Sequence, residues 1–266
     1  MRSLGIAASL WMAGLRSGME YRADFVLETL FGLIREATGF ALIWVILARF
    51  ENLAGWTLGE VAFLYGLRVT THGLVGLATG NIWRLEYSVR EGEFDRYLVR
   101  PAPPLLQLLT ERVPLSAFGE LLGGPALFLA ANSLVDVAWT PWAMLYLLLA
   151  LVGGALLELG IRVLIVSFAF RALRVNGLMA IMDDIFSDFG TYPLSIFGPT
   201  LQFLLTFGIP VAFMAYFPAV VLLGRTSELR IPSVFAYGAP LAGVFWIALA
   251  LHVFHRELRH YKSAGH

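Results

Sequence analysis

Cysteine is absent from the chain, and lysine occurs once, as Lys262. The first absence removes disulfides, thiolate metal sites and cysteine nucleophiles together. The second excludes a P-loop ATPase, whose G-x-x-x-x-G-K-[ST] motif needs a lysine behind a glycine loop to hold phosphates. Lys262 lies in HYKSAGH, with no such loop before it. Neither an H-E-x-x-H zinc helix nor a G-x-S-x-G nucleophile elbow occurs, and the adjacent Asp183 and Asp184 lack the setting of an intramembrane aspartyl pair. No catalytic or metal-ligating residue is therefore expected, and the chain is not read as an enzyme by itself. Charge is scarce too: charged residues make up 14% of the chain, against about 25% in soluble domains. The net charge is zero, so no basicity points to nucleic acid.

What fills the chain instead is apolar. Hydrophobic residues make up 58% of its 266 positions, and the mean hydropathy is +0.74. Runs such as Trp142 to Leu157 and Phe235 to Phe254 approach or reach the ~20 residues that carry a helix across a ~30 Å hydrocarbon core. They are apolar on all sides, whereas a barrel needs segments of ~10 residues with alternating polarity. The expectation is an all-α integral membrane protein, a single transmembrane domain over residues 1–266. Six spans are expected at about Phe25 to Ala48, Leu58 to Ala78, Val113 to Leu134, Trp142 to Phe170, Leu194 to Leu223 and Phe235 to Phe254. Residues 1–22 read as a helix in the membrane interface, with Leu4, Ile6, Leu10, Trp11, Leu15 and Met19 among small and basic residues. The first turns of a long first span account for the same pattern. Arg16, Glu20 and Arg22 interrupt the apolar stretch, so a signal peptide is not expected.

Orientation follows from the distribution of arginine. With the N-terminus inside, the cytoplasmic segments hold Arg2, Arg16, Arg22, Arg84, Arg90, Arg96, Arg100, Arg112, Arg171, Arg174, Arg256, Arg259 and Lys262. The outer loops hold only Arg49, Arg225 and Arg230. Both termini are therefore expected in the cytoplasm. Two segments depart from an up-and-down bundle. Residues 81–112 form a long polar loop whose helical part ends at Pro101 in RPAPP. In residues 175–193, Asp183, Asp184 and Asp188 interleave with apolar residues at helical spacing, which reads as an amphipathic cytoplasmic helix before the fifth span. That span carries Pro199, Pro210 and Pro218, and is expected to be kinked or broken, with a partly re-entrant turn over 213–223 near the outer surface. No internal repeat argues for inverted halves.

Ionisable groups at bilayer depth usually face protein or a water-filled path. Glu158 and Arg162 are four apart with the acid first, so they can pair on one helix face. Adjacent Arg35 and Glu36 point in different directions, and each needs a partner on another helix. Arg68 and His72 share a face. A polar substrate route or gate accounts for these groups, and so do internal ion pairs near the cytoplasmic ends of the spans. In the polar loop, alternating charges accompany Phe94, Tyr97 and Leu98 in an amphipathic helix with an apolar patch rimmed by charge. Such a knob suits docking to a soluble partner that supplies work; a solvated loop helix gives the same pattern.

EGEFDRYLVRPAPPLLQLL, followed by YPLSIFGPTLQFLLTFGIPVAFMAYFPAVVLLG at Tyr192 to Gly224, resembles permeases of the type-2 ABC exporter superfamily, in particular a bacterial branch of single-domain six-span permeases. The resemblance implies a transport subunit in the bacterial cytoplasmic membrane, surrounded by lipid and working as a dimer with itself or a non-identical second permease. ATP and magnesium would be bound by a separate soluble ATPase, leaving no cofactor in this chain. It implies a coupling helix after the second span, with Arg90, Glu91, Gly92, Glu93, Phe94, Asp95, Arg96, Tyr97 and Leu98 as candidates for ATPase contact. It also implies export of an amphiphilic, drug-like, lipid-like or glycan-like cargo. The rival reading is an ion-coupled secondary transporter using Arg68, His72 and Glu158; a non-transporting scaffold is a third.

Overall fold

The computed structural model describes residues 2–20, 22–49, 52–172 and 174–262. Met1, Tyr21 and the side chains of Leu4 and Ile6, which belong to the expected interfacial helix, lie outside the described parts. Among the described residues the secondary structure is helical, without strands. Helix α1 spans Arg2–Met19 and α2 spans Arg22–Arg49 as one continuous rod. Then come α3 (Leu58–Thr79), α4 (Arg84–Arg90), α5 (Asp95–Leu98), α6 (Pro104–Thr110) and α7 (Ser116–Asn132). Helix α8 (Pro141–Ser167) leads into α9 (Ala169–Ala172) and α10 (Asn176–Gly190). The last elements are α11 (Pro199–Phe203), α12 (Tyr216–Leu222), α13 (Val234–Tyr237) and α14 (Ala239–Leu258).

Local chemistry sets several of these ends. Thr57 and Glu60 form a capping box at the start of α3, the Thr57 amide donating to Glu60 Oε2 at 2.8 Å and the Glu60 amide to Thr57 Oγ1 at 3.4 Å. Thr140 caps α8, with Pro141 in the first turn, where its missing N–H costs nothing. Three helical stretches are long and apolar enough to cross a bilayer: Leu58–Arg90, Pro141–Ala172 and Ala239–Leu258. The first of them runs from α3 through a turn into α4, so the expected polar loop begins as a helical continuation and resolves into α4, α5 and α6.

In the bundle, α7 packs between α2 and α3, α3 between α7 and α8, and α14 along α8. Small residues permit these approaches, as expected where lipid supplies no hydrophobic drive between helices. A Cβ at Gly66 or Gly124 would strike the backbone of the facing helix in the α3–α7 seam, and one at Gly153 or Gly243 would do so between α8 and α14.

The segment read as a surface helix ahead of the fifth span is a helix, but α10 is set into the bundle. Its N-terminal amides, Val175 and Asn176, both donate to Glu86 Oε2 of α4 at 2.6 Å. Further on, the Phe186 carbonyl accepts from Arg68 Nε, and Met179 and Phe186 are buried. Of the kinked and broken forms expected of the fifth span, the structure has the broken one. Pro199 opens α11 and Pro218 sits in the first turn of α12, where an amide would lack an intrahelical partner in any case. Pro210 marks the true break. Ahead of it the backbone widens to a π turn over Leu204–Gly208, with the Ile209 amide donating to the Leu204 carbonyl, and a 3-10 turn follows at Val211–Phe213. Helix α12 packs against α3 and α8, and Tyr216 stacks 5.8 Å from Trp56, beside the start of α3.

Candidate functional site

Arg68 and His72 lie one turn apart on α3 and face α8, where Glu158 and Arg162 are likewise one turn apart. Glu158 is fully buried and gathers three bases: Arg68 Nη1 at 2.9 Å, His72 Nδ1 at 2.7 Å and Arg162 Nη2 at 2.9 Å. The network extends from there in two directions. Arg162 Nη2 also meets Asp183 Oδ1 of α10 at 3.0 Å. On the other side, His72 Nε2 lies 3.9 Å from Glu120 Oε2 of α7, and Glu120 pairs with Arg35 of α2. Arg35 Nε donates to Glu36 Oε1 at 3.1 Å, and the Tyr65 hydroxyl donates to Glu36 Oε2 at 3.2 Å. A cleft of about 480 Å³ opens beside this chain of charges, lined by Arg35, Glu36, Tyr65, Arg68, His72, Arg162, Asp183, Asp188 and Tyr192.

All six ionisable residues singled out in the spans thus meet in one network. The expected partner of Arg35 is found on another helix, as Glu120, and Glu36 takes a hydrogen bond from Tyr65 of α3; but Arg35 and Glu36, expected to point apart, also pair with each other, because their long side chains bend together at the helix surface. Glu120 and Tyr65 went unrecognised in the sequence, although Glu120 is the lone charge in an apolar helix. The amphipathic spacing places Asp183 on a cytoplasmic surface, whereas its position beside Arg162 follows only from the packing of α10.

The expected docking knob is also redrawn. Phe94 and Tyr97 are 0% exposed, so they are not the surface anchors that amphipathic spacing suggested. Phe94 lies edge-on at 5.1 Å to both Phe170 and Tyr261, while the Tyr97 hydroxyl donates to Glu111. Burial first, and then that bond to a carboxylate, push the Tyr97 hydroxyl above its ordinary pKa. Arg84 pairs with Glu93 at 3.2 Å, Arg90 with Glu91 at 3.0 Å and Arg96 with Glu111 at 2.9 Å, so much of the charge is satisfied within the knob. Gly92 takes φ +74°, a left-handed turn that suits glycine and reverses the chain between α4 and α5. What projects is the tip: Leu98 at 46% exposure and Val99 at 84%, followed by Arg100 and Pro101.

Residues 33–265 match the family model for the ABC-2 family transporter protein. The chain belongs to the ABC-2 transporter family. The match takes in every helix from α3 onward and most of α2, and so contains both the charge network and the knob. No curated protein and no solved structure matches the chain. As an ABC-2 family member, with helices of the length and apolarity noted above, it is a membrane-embedded transport subunit of the ABC type.

Proposed function

We propose that this ABC-2 protein is the permease of an exporter driven by a separate ATP-hydrolysing subunit, and that the charged cleft is part of its cargo route. In this reading the chain crosses the membrane six times, by α2, α3, α7, α8, the broken α10–α11 segment and α14. Both termini and the α4–α6 knob face the cytoplasm, and α12 forms a re-entrant turn near the outer surface. The working unit is a dimer, of two copies or of this chain with a second permease. The ATPase supplies the nucleotide and magnesium chemistry and docks on the knob tip at Leu98, Val99, Arg100 and Pro101.

One observation carries the reading: the knob and the cleft are connected through helices and the hydrogen bonds between them. Helix α4 continues α3, which holds Arg68 and His72, and Glu86 of α4 caps α10, which brings Asp183 to Arg162. Displacement of the knob is therefore delivered to both walls of the cleft, the coupling a permease without its own nucleotide site requires.

The test is co-purification and nucleotide-driven flux with a candidate partner ABC ATPase. Val99→Asp, at an exposed tip, is expected to abolish complex formation and flux while leaving the permease folded. An intact complex with undiminished flux would remove the docking assignment. Flux on a pH gradient with no nucleotide present would instead favour ion-coupled transport.

A further inference from the structure

Helix α14 is the least covered of the three apolar stretches: 22% of its most apolar part is buried, against 67% and 61% for those built on α3 and α8. Gly243, Ala250, Phe254 and Glu257 turn to the bundle, and the opposite side is bare. Along that side Leu241, Phe245, Ala248, His252, His255 and Arg259 follow in steps of three and four residues, and all six are exposed. The face changes character along its length. Its first turns are apolar, like the lipid they meet, whereas its last two turns are imidazole and guanidinium, with exposed Arg256 beside them.

From Leu241 to Arg259 the helix rises about 27 Å, close to the ~30 Å depth of the hydrocarbon core. The cationic end therefore stands at the headgroups of one leaflet. That leaflet lies at the knob, because Tyr261, just beyond Arg259, is edge-on to Phe94 at 5.1 Å. No carboxylate balances these cations: Glu257, the one acid of α14, is buried and paired with Arg171. The side chains of His252, Arg256 and Arg259 make no hydrogen bond or ion pair among the described residues, while His255 Nδ1 donates to the Leu251 carbonyl at 2.6 Å. Arg256 is four residues from His252 and three from Arg259, so the three heads surround one spot on the helix surface. Two guanidinium forks and an imidazole N–H form a donor set suited to a phosphate. A second copy of the chain does not fit, since a two-fold contact would set the same cations against each other. A soluble protein cannot follow the stripe down into the apolar turns at Leu251 and Ala248.

We propose that this end of α14 binds an anionic phospholipid. Arg256 and Arg259 hold its phosphate with His252 beside them, and an acyl chain lies along Leu251, Ala248 and Phe245. The lipid is a fixed neighbour of the protein rather than its cargo, and the site does not depend on nucleotide-driven export.

The experiment uses the purified full chain in detergent, without ATPase or nucleotide. Phosphatidylglycerol and phosphatidylcholine with the same acyl chains are titrated in, and retained lipid is counted by mass spectrometry of the intact protein. Saturable retention of phosphatidylglycerol is expected, with phosphatidylcholine held at least about tenfold more weakly. Arg256→Gln combined with Arg259→Gln should weaken phosphatidylglycerol about thirtyfold, the loss of two charge contacts at a membrane surface. Arg256→Lys with Arg259→Lys should keep most of the preference for the anionic lipid. Arg16→Gln with Arg22→Gln removes as much charge from exposed positions on α1 and α2, of which α1 packs on α6 of the knob, and should leave retention unchanged. Thermal midpoints show that each variant is folded. Equal retention of the two lipids, or equal losses from the two glutamine pairs, would overturn the site. Displacement of the lipid by excess soluble glycerol phosphate would also overturn it, by making the patch a site for anions from water.

Discussion

At the scale of single residues, Glu158 is held by three basic partners on two helices. Its carboxylate is buried among two guanidinium groups and an imidazole, so removing it strands charge rather than merely deleting a contact. Glu158→Ala is expected to cost about 3–5 kcal/mol, the range for breaking a buried pair from one side, and to lower the thermal midpoint in nanodiscs sharply. An unchanged midpoint would show that Arg68 and Arg162 find other partners. Phe94 gives a matched contrast with Val99. Phe94→Ala empties a filled aromatic cluster and should cost about 3–5 kcal/mol, whereas Val99→Ala on an exposed tip should stay within about 0.5 kcal/mol. Thermal unfolding of the pair decides whether the aromatic at position 94 supports the knob from inside or merely decorates it.

Among the helices, α10 has the most specific attachment. The Glu86 carboxylate takes two of its N-terminal amides and adds a negative charge at the positive end of the helix dipole. Glu86→Ala should therefore fray α10, seen as faster amide exchange over residues 176–180. In the reconstituted complex it should uncouple hydrolysis from transport, with basal ATPase activity retained and flux reduced. Unaltered flux with a frayed α10 would mean that α3 transmits the motion alone. A second attachment holds the chain end to the knob. Burial, followed by the neighbouring Asp95 carboxylate, pushes the Tyr261 hydroxyl up to about 12. A tyrosine held neutral in the fold contributes stability that is full below its ordinary pKa of about 10 and lost as pH rises toward the folded value. Because the chain has no native cysteine, Lys262→Cys can report this docking. Its labelling should accelerate between about pH 10 and 12 beyond the thiol's own titration, and Tyr261→Phe should remove that excess.

For the whole molecule, the two ends of the bundle are marked by different chemistry. Arg225 ties the chain after α12 to the start of α3, pairing with Glu60 at 2.7 Å and donating to the Gly55 carbonyl at 2.9 Å. The knob tip belongs to the opposite end. Single cysteines at Val99 and Thr226 should accordingly be labelled from opposite sides of the membrane, with position 99 cytoplasmic. Labelling of both from one side would reject the six-crossing topology.

The helical class, the membrane setting and the family resemblance were all readable along the chain, because they depend on composition, run length and motif order. So was the pairing of Glu158 with Arg162, which needs only the pitch of one helix. What the linear pattern could not decide was which face of a short amphipathic helix turns inward. Phe94 and Tyr97 have the spacing of a surface patch, yet Phe170 and Tyr261, distant in sequence, cover Phe94, and the Tyr97 hydroxyl donates to Glu111. Asp183 likewise has the spacing of a solvated stripe, and only the packing of α10 on α8 brings it to Arg162. Periodicity is a property of one helix in isolation, whereas burial and charge pairing belong to two surfaces in contact. The sequence therefore determined a membrane permease with charged positions in its spans, and the tertiary structure decided that those positions form one network joined to the knob by α3, α4 and α10.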